Sequence, residues 1–286
     1  MPSLRCYWEA ELRQSRIADE MGRNRFSKIA QSLHFTDNND VTDEEKEDRL
    51  WKLRPWLNSL RDSFQEVSPE ENQSIDEIMV AFKGRSLIKQ YMEKKPKKWG
   101  FKLWGRCSYG FCHDFNVYQG RGTGIDEELA PGCGLGGSVV MQLCQSLPKN
   151  RQFKIFADNY FSNFTMAKLV RDSGIGQYTG TIKGNRVHNA PLTSLKAMEK
   201  LKRGSGSTVY DKDRELCLVR WYDNKCVTLI STYAGTGPLE KVKRYDRSKK
   251  EHIEVDRPAV ILGLTLAEVE WLSNHMGHTV DIHKEA

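Results

Sequence analysis

Residues 153–161 read FKIFADNYF, a short, mostly apolar run that leads to an aspartate. Because four of the five residues 153–157 are apolar, with Lys154 the exception, they predict a short buried strand. Asp158 follows at once, and the residues after it predict a turn into a helix. Ligand sites in open α/β sheets form at the carboxyl ends of strands, so Asp158 is a candidate site residue. Taken alone, an aspartate here also fits an ordinary turn or helix N-cap.

The stretches around this strand alternate between strand and helix patterns. Strand patterns lie at residues 75–82, 99–107, 111–119 and 177–183, and helix patterns lie at 139–147 and 164–172. The order is three strands, helix, strand, helix, strand, which predicts an α/β sheet with helices packed on it. The same order is that of the RNase H-like sheet, although order alone does not single out that fold.

Helical patterns precede this alternation, and a hairpin pattern follows it. Apolar stripes at residues 26–33 and 50–64 predict core-facing helix faces, and Thr42 and Glu45 form a possible capping box between them. Residues 207–233 predict a hairpin with its turn at Asp223. Residues 238–257 are charged, and we expect them to be exposed.

The composition predicts a folded, intracellular chain. Hydrophobic residues make up 38% and charged residues 29%, which supports a packed core. The net charge of +6 permits a nucleic-acid partner without identifying one. Seven irregularly spaced cysteines do not form a secreted disulfide framework, so we expect reduced thiols. The sequence predicts no signal peptide, no membrane span and no membrane partner.

A second candidate aspartate, Asp76, lies in the strand pattern that begins SIDE at residues 74–77. This strand runs into a basic turn, Lys83-Gly84-Arg85. An aspartate beside a basic turn suits a metal that bridges protein and phosphate, because Mg²⁺ prefers one or two carboxylates with waters and phosphates. An edge-strand aspartate paired with Lys83 or Arg85 is the other interpretation.

A basic stripe with interleaved aromatic residues occupies residues 83–106, where the only acid is Glu93. Such a stripe would neutralise several phosphates, although a solvated strand face is also possible. The residues predicted to bind double-stranded DNA are Lys83, Arg85, Lys94, Lys95, Lys97, Lys98, Lys102 and Arg106. Residues 94–98, KKPKK, also predict a nuclear localisation patch.

Several motifs in one order make the sequence specific. They are RNRF at 23–26 leading to LHF at 33–35, RLWKLRP at 49–55, SIDE at 74–77, KP at 95–96 with WGFK at 99–102, YQG at 118–120, ADNYF at 157–161, and GTIK at 180–183 followed by NR at 185–186. Together they resemble the piggyBac transposase family, in its vertebrate domesticated branch, over residues 1–262.

The resemblance implies an RNase H-like transposase core, an α/β fold, with a helical N-terminal region and a β-rich insertion. It also implies cut-and-paste transposition at TTAA targets by three aspartates, of which Asp76 is the first and Asp158 the second, with Mg²⁺ or Mn²⁺. The implied divisions are a helical dimerisation and DNA-binding region at 1–70, the core at 71–186, the insertion at 187–257 and a divergent helical tail at 258–286. A nuclear DNA-binding protein, as a possible homodimer, follows from the same resemblance.

The sequence departs from the family where the third aspartate is expected. Counting from Pro258, that position is Leu272, and the surrounding family motif is absent, as is the Cys-rich C-terminal finger. We therefore expect a truncated or fused member whose strand-transfer activity is impaired. Asp281 and Glu270 are possible substitutes, which would make the chain an active transposase or nuclease. A gene fragment without function is the third hypothesis.

The remaining tail residues favour other roles. Glu268 is better explained by a capping box with Thr265, at the start of a helix predicted over residues 266–276. His275, His278 and His283 permit a zinc site, but no cysteine accompanies them.

Overall fold

The structure, a computed structural model, describes residues 4–93, 95–120, 124–149, 151–213, 215–246 and 249–264. It divides into two compact units, one up to Ser59 and the other from Leu60 onwards. The tail helix predicted over residues 266–276, with Thr265 and Glu268 at its start, lies outside the described residues. No described helix has the length and apolar composition needed to cross a membrane.

The first unit contains short helices. They are a 3-10 turn at Leu4–Trp8, α1 at Ser15–Ala18, α2 at Arg23–Gln31, α3 at Asp43–Glu47 and the first residues of α4 at Arg54–Gln65. The predicted capping box is confirmed, because Glu45 N donates to the Thr42 hydroxyl and the Glu45 carboxylate accepts from Thr42 N. A helix pattern predicted from residue 50 begins at Arg54, where Pro55 favours a first turn.

The apolar stripe of α2 does not face a core. None of its residues is buried, and Leu33, just beyond it, is 60% exposed. In α4, Leu57 is the buried residue. The prediction of a core-facing stripe is therefore wrong for α2. A stripe is buried only where another element covers it, and the spacing of apolar residues does not specify that element.

The second unit is built on a mixed sheet of nine described strands. They are β1 at Asn72–Ala81, β2 at Gln90–Tyr91, β3 at Trp99–Ser108, β4 at Phe111–Val117, β5 at Phe153–Ala157, β6 at Gly176–Thr181, β7 at Gly206–Asp211, β8 at Leu216–Tyr222 and β9 at Cys226–Ser231. Their order is β2-β3-β1-β5-β6-β9-β8-β7, with β4 also paired to β3. β5 is parallel to both β1 and β6, so residues 153–157 form a central strand of the sheet.

Helices cover the sheet and explain why four of the five residues of β5 are apolar. α5 at Gly134–Cys144 and α6 at Phe164–Asp172 bury their apolar residues in the same cluster as Ile155. Phe156 belongs to a second cluster, with Val219 and Leu229. Successive side chains of a strand point to opposite faces, so both faces of β5 are buried except at Lys154, which is half-buried and pairs with Glu71. The α/β fold predicted from the sequence is confirmed.

The region after β6 extends the same sheet. The predicted hairpin is β8 with β9, and β9 joins the sheet beside β6. Before it come a 3-10 turn at Gly184–Arg186 and α7 at Leu195–Met198. A separate antiparallel pair, β10 at Leu239–Asp246 and β11 at Glu251–Pro258, follows, and residues 259–264 are helical. The Trp221 indole of β8 donates to the Asp256 carbonyl of β11 at 2.8 Å, so the β10–β11 pair is anchored to the nine-stranded sheet.

Candidate functional site

The two predicted aspartates lie side by side because their strands do. β1 and β5 are parallel neighbours, with Ile75 opposite Ala157, and each aspartate is the next residue along its strand. Asp76 and Asp158 therefore reach the same place, where Glu77 joins them. One carboxylate oxygen from each of the three lies within 4.8 Å of the other two. We call these three residues the acidic cluster.

Glu77 is the member that the sequence reasoning missed. Alternation along a strand places neighbouring side chains on opposite faces, so the pattern gives no reason to group Glu77 with Asp76. The signal was its position inside the SIDE motif, but nothing in that spacing shows that both carboxylates turn towards Asp158. In the structure, a carboxylate oxygen of Glu77 lies within 4.8 Å of one oxygen of Asp76 and of one oxygen of Asp158.

Two lysines compensate the charge of the acidic cluster. Lys95 Nζ lies 3.4 Å from Asp76 Oδ2 and donates to the Glu77 carbonyl at 3.0 Å. Lys102 Nζ lies 3.1 Å from Glu77 Oε1, and its side chain is 14% exposed. Ion pairs that lie partly out of water are screened little by salt, so this compensation is part of the site.

Burial and these lysines set the protonation of the acidic cluster. Burial raises the pKa of Asp76 to about 7, although the ammonium of Lys95 opposes that change. Burial also raises the pKa of Asp158. For Glu77 burial again disfavours the charge, but the Lys102 ammonium and a hydrogen bond with Asp76 outweigh it, and the pKa is lowered. Near neutral pH Asp76 is therefore partly protonated, while the neighbouring Glu77 keeps its negative charge.

Aromatic rings enclose the Lys102 ammonium. Its nitrogen lies 5.2 Å from the ring centroids of Trp104 and Tyr160 and 5.5 Å from that of Tyr118. A cation over a ring face is attracted by the ring quadrupole, and the attraction is stronger where water is excluded. Lys102 is thus held against Glu77 and withdrawn from the surface.

Hydrogen bonds from Tyr160, Ser162 and Arg186 fix the backbone that carries Asp158, and we call these bonds the loop clamp. The Tyr160 N–H donates to Asp158 Oδ1 at 2.7 Å, and the Ser162 hydroxyl donates to the Asp158 carbonyl at 2.8 Å. Arg186, from the 3-10 turn after β6, donates to the Asn159 carbonyl at 2.9 Å and to the Ser162 carbonyl at 3.0 Å. Arg186 belongs to the NR motif at 185–186, which by itself indicates no role for its side chain. These bonds hold the loop after β5 in one conformation.

The acidic cluster has the donor set of a divalent-cation site. Mg²⁺ and Mn²⁺ favour oxygen ligands, and oxygens on opposite sides of a Mg²⁺ ion lie about 4 Å apart, since each bond is about 2.1 Å. Carboxylate oxygens within 4.8 Å of one another need only small side-chain rotations to meet such an ion. Asp281 and Glu270, the predicted substitutes for a third acid, lie outside the described residues.

The residues of the predicted DNA-binding stripe do not share one environment in the structure. Lys95 and Lys102 contact the acidic cluster, and Lys94 lies outside the described residues. The residues that are exposed on the surface are Lys83, Arg85, Lys97 and Lys98. Whether a basic residue of the stripe is exposed depends on its position in β3 or in the turns beside it. A count of charges along the chain does not give that position.

Arg106 is buried, and its assignment as a DNA contact is wrong. It is 1% exposed, and its guanidinium donates to the Leu143 carbonyl at 2.9 Å, to Ser146 Oγ at 2.9 Å and to Gln73 Oε1 at 2.5 Å. Leu143 belongs to α5, which covers this face of β3. A guanidinium with these partners has no access to a phosphate.

Comparison with known proteins settles the family. Residues 1–265 match the family described as Transposase IS4. The chain belongs to the IS4 transposase family. This IS4-family chain is 31% identical over 267 residues to human PiggyBac transposable element-derived protein 2, and 32% identical over 268 residues to human PiggyBac transposable element-derived protein 3. These alignments cover 91% of the chain and 44% of each relative, so the chain spans less than half of their length.

A solved piggyBac transposase shares the fold of the IS4-family chain. That structure, a synaptic complex with hairpin DNA determined by cryo-electron microscopy, superposes with a TM-score of 0.72 at 20% identity. The match covers 93% of this chain and 52% of that one. The predicted RNase H-like transposase core is confirmed, as is the resemblance to piggyBac transposases.

Proposed function

We propose that this chain is a transposase-derived protein that binds double-stranded DNA and holds a divalent cation, Mg²⁺ or Mn²⁺, at the acidic cluster. The observation that carries the proposal is the convergence of Asp76, Glu77 and Asp158 to within 4.8 Å at the centre of a transposase-family sheet. Clusters of partly buried carboxylates with perturbed pKa values are typical of functional sites.

The residues around the acidic cluster have separate tasks in this proposal. Asp76, Glu77 and Asp158 would hold the cation. A divalent cation at such a site polarises a phosphoryl oxygen and lowers the pKa of a bound water. Lys95 and Lys102 compensate the carboxylates in the absence of the cation, and the loop clamp orients Asp158.

DNA binding is supported by the surface beside the acidic cluster. Lys83, Arg85, Lys97 and Lys98 are exposed, and the solved relative is a complex with hairpin DNA. Each exposed cation that meets a phosphate releases a counterion, which makes affinity fall with salt. A preference for TTAA-flanked duplexes is the finer part of the proposal and comes from the family resemblance.

Strand transfer by this chain is proposed to be impaired. The position expected for the third family aspartate holds Leu272, whose side chain has no oxygen to offer a cation. A second candidate function is metal-dependent nicking, and the presence of Glu77 in the acidic cluster favours it. A third carboxylate near Asp76 and Asp158 supplies charge that the missing aspartate would otherwise provide.

One experiment separates these functions. Binding and cleavage of a TTAA-flanked duplex are measured with Mg²⁺, with Mn²⁺ and with a chelator. The wild-type chain is compared with Asp76→Ala, Asp158→Ala and the matched control Asp62→Ala, an exposed aspartate of α4. We expect duplex binding in every variant without cleavage, together with cation binding that is lost in the first two variants.

Other outcomes have distinct meanings. Metal-dependent nicking that disappears in Asp76→Ala and Asp158→Ala but persists in Asp62→Ala would establish the second candidate. Absence of duplex binding by a folded wild-type chain would overturn the DNA-binding proposal. Cation binding unchanged in Asp158→Ala would overturn the assignment of the acidic cluster.

We also propose nuclear localisation and a homodimer, both of which the resemblance implies. Residues 95–98 of the predicted nuclear patch lie beside the acidic cluster, with Lys97 and Lys98 exposed. A fluorescent fusion of the chain should concentrate in the nucleus and redistribute in Lys97→Gln/Lys98→Gln. The mass of the chain in solution, measured by light scattering, tests the dimer.

A further inference from the structure

A groove of about 520 Å³ lies at the end of β1 and β3, beyond the acidic cluster. Its lining includes Phe82, Lys83, Lys89, Lys97, Lys98 and Trp99. Ala81, also in the lining, is the last residue of β1 and stands five positions beyond Asp76. At about 3.3 Å per strand residue, the end of the groove at Ala81 and Trp99 is ~16 Å along β1 from Asp76.

All the charged residues that line this groove are positive. Four lysines and no carboxylate contribute to it. Within the described part of the chain, Lys83, Lys97 and Lys98 have no carboxylate within the 4.0 Å of an ion pair, whereas Lys95 and Lys102 of the same stripe do. Unpaired ammonium groups on one concave surface favour an anionic ligand with spaced charges.

Aromatic rings stand among these lysines. Trp99 is 54% exposed and Tyr91 is 51% exposed, and the two face each other across β2 and β3 with ring centroids 4.8 Å apart. Lys89 Nζ lies 5.1 Å over the Trp99 ring and donates to the Gly84 carbonyl at 3.0 Å. The indole is therefore held in place, while half of its surface is open.

The strands β1 and β3 pack closely where they form the floor of this groove. The Phe82 and Phe101 rings stack at 4.6 Å. A Cβ added at Gly100 would lie 2.1 Å from the Val80 carbonyl oxygen, so the two strands approach closely only because this residue is glycine. A rigid floor lowers the conformational entropy lost when a ligand binds.

We propose that this groove binds a single-stranded DNA segment, with an unpaired base stacked on Trp99 and phosphates on Lys83, Lys97 and Lys98. Single-strand binding sites combine a basic groove with aromatic side chains on which bases stack. In an intact duplex the base faces are covered by their neighbours and cannot meet the indole. An acidic peptide would satisfy the lysines but would not use the exposed part of the indole.

The inference rests on the proposed DNA binding and specifies which form of DNA the groove takes. A separation of ~16 Å corresponds to about five nucleotides of a stacked strand at 3.4 Å each. An unpaired stretch of that length beside a duplex would therefore extend from the acidic cluster to Trp99.

The test compares DNA forms and variants by fluorescence anisotropy of labelled DNA. The probes are an oligothymidylate, a blunt duplex and the same duplex with a tail of about five nucleotides. The variants are Trp99→Ala, Trp99→Phe and the control Tyr245→Ala, which removes a comparably exposed aromatic residue of β10. Thermal unfolding of each variant checks that it is folded.

We expect the wild-type chain to prefer the tailed duplex to the blunt one by about 5- to 150-fold, the range for one stacked base. Trp99→Ala should lose that preference and keep its affinity for the blunt duplex, whereas Trp99→Phe should retain part of it. Tyr245→Ala should behave as the wild type does.

The remaining outcomes separate this inference from the proposed function. A wild-type chain that binds both duplexes equally, or a preference unchanged in Trp99→Ala, overturns the inference and leaves duplex binding in place. Binding of the oligothymidylate through Trp99 without any duplex binding overturns the proposed function and supports the groove. If the lysines bind only a poly-glutamate peptide, the groove takes acidic protein instead, and the inference fails.

Discussion

Lys95 Nζ lies 3.4 Å from Asp76 Oδ2, although only Asp76 belongs to a strand of the sheet. Asp76 is in the middle of β1, and Lys95 belongs to the connection between β2 and β3. The basic stripe thus supplies an internal counter-ion to the acidic cluster. A cation that binds the cluster competes with this ammonium for Asp76 as well as with protons.

The pH dependence of stability should change in Asp76→Asn. Burial raises the pKa of Asp76 from 3.8 to about 7 in the folded chain, so between these values the unfolded chain releases a proton that the folded chain keeps. Folding stability therefore falls as pH rises through this window and stays lower above it. Asparagine does not ionise, so the variant should lose part of this fall. Thermal unfolding at pH 5 and pH 8 without metal measures it; parallel curves would contradict the prediction.

Removing the arginine of the loop clamp should weaken cation binding without unfolding the chain. Arg186 contacts the carbonyls of Asn159 and Ser162 and does not belong to the acidic cluster. Loss of an outer interaction that orients a metal ligand typically costs about 10- to 100-fold in metal affinity. We expect Arg186→Met to show such a loss in Mn²⁺ titrations followed by calorimetry. Lys183→Met, an exposed residue just before the same turn, is the control and should bind Mn²⁺ as the wild type does.

Adding a methyl group at Gly180 should disturb the acidic cluster. A Cβ there would lie 2.2 Å from Ser162 Oγ and 2.7 Å from the Ala157 carbonyl oxygen, and neither can move without shifting the residues beside Asp158. Gly180→Ala should cost about 1–3 kcal/mol of unfolding free energy and lower Mn²⁺ affinity. At Gly184 the same methyl group meets nothing within 4 Å, so Gly184→Ala should change stability by about 0.5 kcal/mol at most. Equal effects of the two substitutions would contradict this prediction.

Arg106 and the exposed lysines should respond in opposite ways. Arg106→Met removes three hydrogen bonds of a buried guanidinium and leaves the buried Gln73 Oε1 without its donor, and an unsatisfied buried polar group costs about 1–3 kcal/mol. Lys97→Gln/Lys98→Gln should leave stability unchanged and reduce the slope of log affinity against log salt by about 2. Urea unfolding and DNA titrations at several salt concentrations measure the two effects. A folded Arg106→Met variant with the larger change in salt slope would restore Arg106 as a DNA contact.

The centre of the sheet was predictable because each of its signals had one physical cause. Four of the five residues of β5 are apolar because helices and strands pack on both its faces, and Asp158 follows its last residue at the site. Asp76 could be paired with Asp158 only through the family resemblance, because neither pattern fixes which strands are neighbours. The structure shows that β1 and β5 are adjacent and parallel, and this pairing is what brings the two aspartates together.

The errors have a common source in contacts between distant parts of the chain. Glu77 joins the acidic cluster through side-chain geometry that a period of two does not describe. Arg106 shares its charge with the stripe but faces α5, and the stripe of α2 has no residue buried. In each case a local pattern gave the chemistry of the side chain correctly, while the element packed against it decided the role.

Residues 95–98 belong to both proposed sites at once, since Lys95 contacts Asp76 while Lys97 and Lys98 line the groove. A ligand at either site restricts the backbone of the same short segment. The first ligand to bind bears most of that entropy, so the second binds more tightly. Such linkage is reciprocal: the factor by which nucleic acid raises the affinity for a cation equals the factor by which the cation raises the affinity for nucleic acid. A cation that displaces the Lys95 ammonium from Asp76 also frees that ammonium to contact nucleic acid, which adds to this cooperativity.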